Sequence, residues 1–153
     1  MTLGAEYDIA PHGIEALFRL RLEKGHIIVG QDSDYDSTPR RLDHDWMVNL
    51  DSGDFIGRHA VERTNRLPLD KHLVGLECDG PAPFEGAVAW TAAGDYAGYV
   101  TSSAWSPTLE RAVMLAWIRT TDGVLPADVI IDGRTARRAE LPFYDPSGER
   151  ARG

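Results

Sequence analysis

Three carboxylates stand at alternate positions in one short stretch, HIIVGQDSDYDSTP, residues 26–39. Asp32, Asp34 and Asp36 read D-x-D-x-D, the opening of an EF-hand calcium loop, in which oxygen atoms from a turn surround the ion. Such a loop also needs glycine at its sixth position, a bidentate glutamate at its twelfth, and a helix directly after it. Counted from Asp32, the sixth position is Ser37 and the twelfth is Asp43, with Pro39 between them, and no following helix is evident. The stretch therefore reads as a solvated acidic turn, because Asp and Ser stabilise turns by bonding to their own backbone. No metal ligand is assigned.

Other reactive residues offer little. The histidines are His12, His26, His44, His59 and His72, with no pair at helical spacing and none beside a second thiol, so a zinc site has no basis. Cys78, the only cysteine, lies inside an expected strand with no basic neighbour in sequence, and reads as a buried, inert thiol. The chain contains no nucleophile elbow, dinucleotide fingerprint or P-loop. No catalytic residue is assigned. One residue is out of place. Residues 13–24, GIEALFRLRLEK, read as a helix on which Ile14, Leu17, Phe18, Leu20 and Leu22 share a broad apolar arc. Arg21 projects near the middle of that arc. A charge there must reach solvent or find a partner. Either it pairs with a carboxylate elsewhere in the fold, or its guanidinium receives an anionic ligand.

The elements that must position Arg21 fall into two groups. The helix ends at Gly25, and HIIVG (26–30) reads as a short extended stretch. Residues 31–45 are polar and irregular. Trp46, Met47 and Val48 read as the start of another buried piece, and residues 57–66 as a short amphipathic helix. From residue 71 the pattern changes to six β-type runs: HLVGLEC, GAVAWTA, AGYVTSS, RAVMLAWI, ADVIID and TARRAEL. Hairpin turns are expected at Ala93-Gly94-Asp95 and Asp132-Gly133. The expected fold class is α+β: a helical lead-in and connector, then a six-stranded antiparallel β-barrel. The expected division is residues 1–66 and 67–153.

Composition sets outer bounds. With 42% hydrophobic and 26% charged residues, the chain has the make-up of a folded domain and not of a disordered one. A net charge of −8 with no basic run makes nucleic acid and anionic membranes poor partners. No apolar run approaches the roughly 18–20 residues that span a bilayer, and no signal peptide is visible. A single cysteine fits a reducing compartment. A soluble cytoplasmic protein is expected.

Several strings together resemble the folate-dependent aminomethyltransferase family, the group of the glycine-cleavage T-protein. They are LRLEKG (20–25), VGQDSD (29–34), TP (38–39), DWMV (45–48), DFIGRHAV (54–61), LVGLE (73–77), GYVTSSAWSPTLERAV (98–113) and FYDPSGER (143–150). They follow the family's order and spacing and run through nearly the whole chain. EKGHIIVGQDSD, SPTL and the FYDP-x-GER ending are most similar to the C-terminal part of the sarcosine oxidase α subunit branch. A related iron–sulfur maintenance branch carries a K-G-C-x-x-G-Q-E motif. The matching EKGHIIVGQD has histidine and no cysteine there, which argues against that branch.

The resemblance implies a fold and a role. It identifies the barrel as the T-protein C-terminal barrel, and residues 1–66 as the tail end of the folate-binding domain plus a connector that includes the acidic stretch. The arginine of the family's L-R-x-E-x-G string contacts folate and matches Arg21, which makes tetrahydrofolate the implied cofactor. Trp46 matches a family aromatic but is read here as core packing. Glu110 stands where the family has a small residue or glycine after SPTL, so an altered turn is expected. The family's catalytic aspartate lies upstream of the matched strings. The implied role is thus the C-terminal portion of an enzyme that moves a one-carbon unit from an N-methyl amine or aminomethyl donor, inactive by itself and partnered by another chain or domain carrying the upstream folate-binding region. The alternative is a non-catalytic docking or assembly module with no small-molecule ligand.

Overall fold

A computed structural model describes residues 2–152. After a 3-10 turn at Thr2–Tyr7 comes α1 (Ile14–Glu23), then a long run of turns with a single 3-10 turn at Asp45–Met47, then α2 (Arg58–Asn65). The strands are β1 (Lys71–Cys78), β2 (Val88–Trp90), β3 (Tyr96–Ser106), β4 (Arg111–Arg119), β5 (Asp128–Ile131) and β6 (Arg134–Ala139), and a last turn of helix, α3, covers Glu149–Arg152. They close into an antiparallel barrel in the order β1-β4-β3-β2-β5-β6, with β6 returning to β1. This is the expected architecture, with all six strands in the expected runs.

Closure removes the sheet edges that would otherwise recruit other strands. Alternating residues fill the interior: Ala112, Met114, Ala116 and Ile118 of β4 point inward to meet Val74, Leu76, Val100 and Ile131. β4 is buried on its outer side too, where Val113, Leu115 and Trp117 pack with Leu73 of β1 and Leu22 of α1. That second layer explains why RAVMLAWI is apolar without alternation: a strand covered on both faces needs no polar side. The two expected hairpin turns form. At Asp132 and Gly133 φ is 49° and 73°, as a two-residue turn that follows the twist of its strands requires.

The structure corrects three expectations in the lead-in. HIIVG is not extended: the backbone turns back, with Asp32 N–H donating to the Ile28 carbonyl at 2.8 Å and Gly30 N–H to the Ser33 carbonyl at 2.9 Å. Trp46 and Met47 are not buried; they are 79% and 64% exposed, and Trp46 stacks on His44 at 6.2 Å. The acidic stretch is not wholly solvated, because Asp32 is completely buried. Apolar type alone suggested burial for Trp46 and Met47, and acidic type alone suggested exposure for Asp32. In both places contact, not residue type, decides.

Helix α1 ends as expected. Gly25 takes φ 65°, its N–H donates to the Leu22 carbonyl, and His26 N–H donates to the Arg21 carbonyl at 2.8 Å, the paired bonds of a left-handed helix stop. Leu22 is the only residue of the apolar arc that is buried. Ile14, Leu17, Phe18 and Leu20 remain between 45% and 67% exposed. The arc therefore faces mostly outward.

Candidate functional site

A ten-residue helix with one buried leucine needs other ties, since isolated helices of that length are marginal in water. The ties are polar. Arg21 Nη1 donates to Asp32 Oδ2 at 2.8 Å and to the His26 carbonyl at 3.1 Å, while Nη2 donates to Ser102 Oγ at 2.8 Å. Two residues along the helix, Glu23 is 3% exposed and accepts from Ser106 Oγ at 2.5 Å. Lys24 Nζ reaches the Asp145 carbonyl and carboxylate, and Tyr144 N–H donates to the Glu23 carbonyl at 3.0 Å. The R-x-E-K run thus fastens α1 to β3 and to the chain's closing segment.

Asp32 is the centre of this network. Its Oδ2 accepts from Arg21 and from Ile28 N–H, both at 2.8 Å. Its Oδ1 accepts from Thr101 Oγ1 and Ser102 Oγ, both at 2.5 Å. A carboxylate has about four acceptor positions, so this one is filled. A bulge in β3 makes the arrangement possible: Val100 pairs with Ala116 and Ser102 with Leu115, leaving Thr101 as the extra residue. Successive strand residues ordinarily point to opposite faces, and the bulge re-aims them so that two neighbouring hydroxyls meet one carboxylate. The other two acids of the D-x-D-x-D stretch go elsewhere. Asp34 accepts from Asp36 N–H and Ser37 Oγ, and Asp36 pairs with Lys71 and Arg41. Hydrogen bonds from Lys71 and then Arg41 hold the Asp36 carboxyl below its ordinary value. Among the described residues, no three His, Cys, Asp or Glu side chains gather as a metal would require.

Beside the network, α1 and β3 enclose a cavity of about 490 Å³. Phe18, Leu22, Ala104 and Trp105 give it apolar walls, and Arg21, Gln31, Glu85 and Ser103 add polar groups. Gln31 Nε2 lies 2.9 Å from both Glu85 Oε1 and the Thr101 carbonyl, which fixes the amide at the cavity wall. Two buried polar atoms that belong to cavity-lining side chains have no partner: Arg21 Nε and Ser103 Oγ. Buried polar atoms are normally satisfied, and these two are closed to the cavity in this conformation, so they are an unfilled bonding capacity beside it and not part of its open wall.

The structure thus gives Arg21 its carboxylate partner and also sets it on a cavity wall, so the two roles open to it from sequence are compatible. Sequence reasoning missed Asp32 as the partner, along with Glu23, Gln31 and Ser102. The VGQDSD string contains Gln31 and Asp32, but nothing in its spacing links it to a helix eleven residues back and a strand seventy residues on. The expected view of Cys78 also changes in part. It is buried, and burial pushes its thiol up, but it has a basic neighbour after all, with Arg134 Nη1 at 3.7 Å.

Comparison with known proteins matches this geometry to one group. The glycine cleavage T-protein C-terminal barrel domain matches residues 71–145, and the GCVT N-terminal domain matches residues 1–52. An aminomethyltransferase of Synechococcus sp. (strain CC9902) is 37% identical over 144 residues, spanning 91% of this chain and 40% of the relative. The sarcosine oxidase subunit alpha of Corynebacterium sp. (strain P-1) is 34% identical, spanning 98% of this chain and 17% of the relative. The crystal structure of the glycine cleavage system aminomethyltransferase T from Bartonella henselae superposes with a TM-score of 0.77 at 26% identity, covering 86% of this chain and 38% of that one. The chain spans about two fifths of the length of the aminomethyltransferases it matches. It belongs to the glycine-cleavage T-protein family, with residues 71–145 matching that family's C-terminal barrel.

Proposed function

We propose that this chain forms the C-terminal portion of a tetrahydrofolate-dependent aminomethyltransferase or sarcosine-oxidase-like protein, and that α1 with β3 holds part of the folate. On this reading, residues 1–66 are the end of the folate-binding domain plus a connector, and residues 67–153 are the barrel. The observation that carries the proposal is the anchored guanidinium of Arg21. Asp32, the His26 carbonyl and Ser102 take three of its N–H groups, the Nε–H is buried, and the second Nη2–H is the donor left to this side chain on the cavity wall. A rigid donor between Phe18 and Trp105 suits a flat heteroaromatic ligand with polar edges.

Tetrahydrofolate, when bound, supplies the amine that takes up the one-carbon unit. This chain's residues do the holding: Asp32 fixes the guanidinium, Arg21 offers its remaining Nη2–H, and the apolar wall excludes water. Catalysis needs an upstream domain or chain to complete the cavity, and the outward-facing arc of α1 is the surface for it. The same arc supports a second reading, in which the barrel is a docking or assembly module that binds nothing small. An unpartnered apolar helix face favours association whichever reading holds.

A calorimetric titration with tetrahydrofolate separates the two. The enzyme-component reading predicts saturable heat that weakens at least about tenfold in both Arg21→Lys and Trp105→Ala, a loss of about 1.4 kcal/mol. Lysine keeps the charge against Asp32 but lacks the fork, and Trp105 lies outside the Asp32 network. Absence of heat in the wild-type chain contradicts folate holding by α1 and β3 on their own, and leaves the docking reading as the one this chain supports by itself.

A further inference from the structure

We propose that the rim of the barrel where β4, β1 and β6 meet binds a small oxyanion, the phosphoryl or carboxylate head of a metabolite. The site is separate from the α1 cavity. It is a cavity of about 290 Å³ lined by Glu77, Cys78, Asp79, Arg111, Arg134, Thr135 and Arg137. Three guanidiniums meet two carboxylates there, so the lining is net positive in a chain of net charge −8.

The cations exceed what the fold's own acceptors use. Arg111 Nη1 donates to Glu77 Oε1 at 3.0 Å and its Nε to the Leu109 carbonyl at 3.2 Å. Arg134 Nη1 donates to the Asp79 carbonyl at 2.7 Å, with Cys78 Sγ at 3.7 Å. Arg137 stands opposite Glu77 in the β1–β6 register and is exposed. Each guanidinium carries more N–H donors than these bonds take up. A cross-strand charge ladder runs from Arg111 through Glu77 and Arg137 to Asp128, which stands opposite Arg137 in the β5–β6 register, so two carboxylates serve two cations. It leaves Arg134 without a carboxylate, since its bond goes to the Asp79 carbonyl. The backbone also leaves room for Arg134. Gly80 has φ 86°, and a Cβ placed there would sit 3.0 Å from Arg134 Nη1. The cavity is at the small end of ligand pockets, which suits a phosphate or carboxylate head, and guanidiniums bind such groups in planar pairs of hydrogen bonds.

The test uses the full chain at low ionic strength. Inorganic phosphate and succinate are titrated in turn while backbone amide NMR shifts are followed, with sodium chloride at matched ionic strength as control. The expected result is saturable perturbation centred on residues 77–80 and 134–137 by one or both oxyanions and not by chloride. A tetrahedral preference identifies a phosphoryl head, and the reverse order identifies a carboxylate. Arg137→Gln, at an exposed position, should weaken binding at least about fivefold, and Glu77→Gln should tighten it by a similar factor through removal of the competing charge. A purely structural role for the cluster predicts no tightening from Glu77→Gln. Equal response to chloride, perturbation elsewhere on the chain, or unchanged affinity in both variants would overturn the proposal.

Discussion

The barrel and the helical lead-in solve the same problem in opposite ways. The barrel is held from inside by an apolar core that its own strands complete, with Ala89, Val100, Ala112, Met114 and Ala136 wholly inaccessible. The lead-in buries one leucine of α1, packs Ile27 and Leu42 beside it, and is otherwise held by charge and hydrogen bonds, most of them around Asp32. Apolar packing tolerates repacking, whereas a buried charge network fails when one member is lost. The first region has an inner core of its own, and the lead-in covers only the outer face of β4. The second is built to hold one side chain, Arg21, in one orientation while leaving the apolar side of its helix open.

The largest expected effect breaks that contrast at its centre. Asp32→Ala leaves the Arg21 guanidinium buried without its partner and should cost about 3–5 kcal/mol. Urea denaturation should show the loss as an early phase confined to the lead-in, followed by a barrel transition close to wild type. Next in size is a gain within the barrel. Glu110 sits in the β3–β4 turn with φ 55°, where a side chain crowds the backbone. Glu110→Gly should raise stability by about 1 kcal/mol, read as a shifted thermal midpoint.

Smaller still is a pH effect. Burial is the main cause holding the His72 imidazole below its ordinary value of 6.5, against the attraction of Asp43. The unfolded chain then binds that proton more readily than the folded one. Stability should be level above 6.5 and fall as pH drops below it, and His72→Gln should remove that slope from a denaturation series. Smallest is the change on the open arc. Leu17→Gln with Leu20→Gln should alter stability by less than about 0.5 kcal/mol, because both side chains already face solvent, yet reduce self-association seen by sedimentation.

The two regions also differed in how far the sequence revealed them. The barrel strands were legible because short apolar runs between Gly and Asp turns carry their own period and punctuation, and Asp132-Gly133 allows little except a hairpin. Helix α1 was legible for the same reason, down to its stop at Gly25. The site was legible only at Arg21, where a charge sits on an apolar arc. Its partner was not, because Asp32 lies in a loop that reads as an ordinary polar turn. Its burial depends on a bulge in β3 that no residue type announces. Trp46 misled in the other direction, since a large aromatic reads as core unless the surface that would cover it is known.

The contrast between a barrel with its own inner core and a charge-tethered helix is tested most directly by native-state hydrogen exchange of the wild-type chain and Asp32→Asn. The account predicts that the amides of residues 17–24 lose protection in the variant, while those of β1, β3 beyond the bulge, and β4 keep theirs. If α1 keeps its protection, or if helix and barrel lose it together, the Asp32 network is not what separately holds the helix, and the account fails.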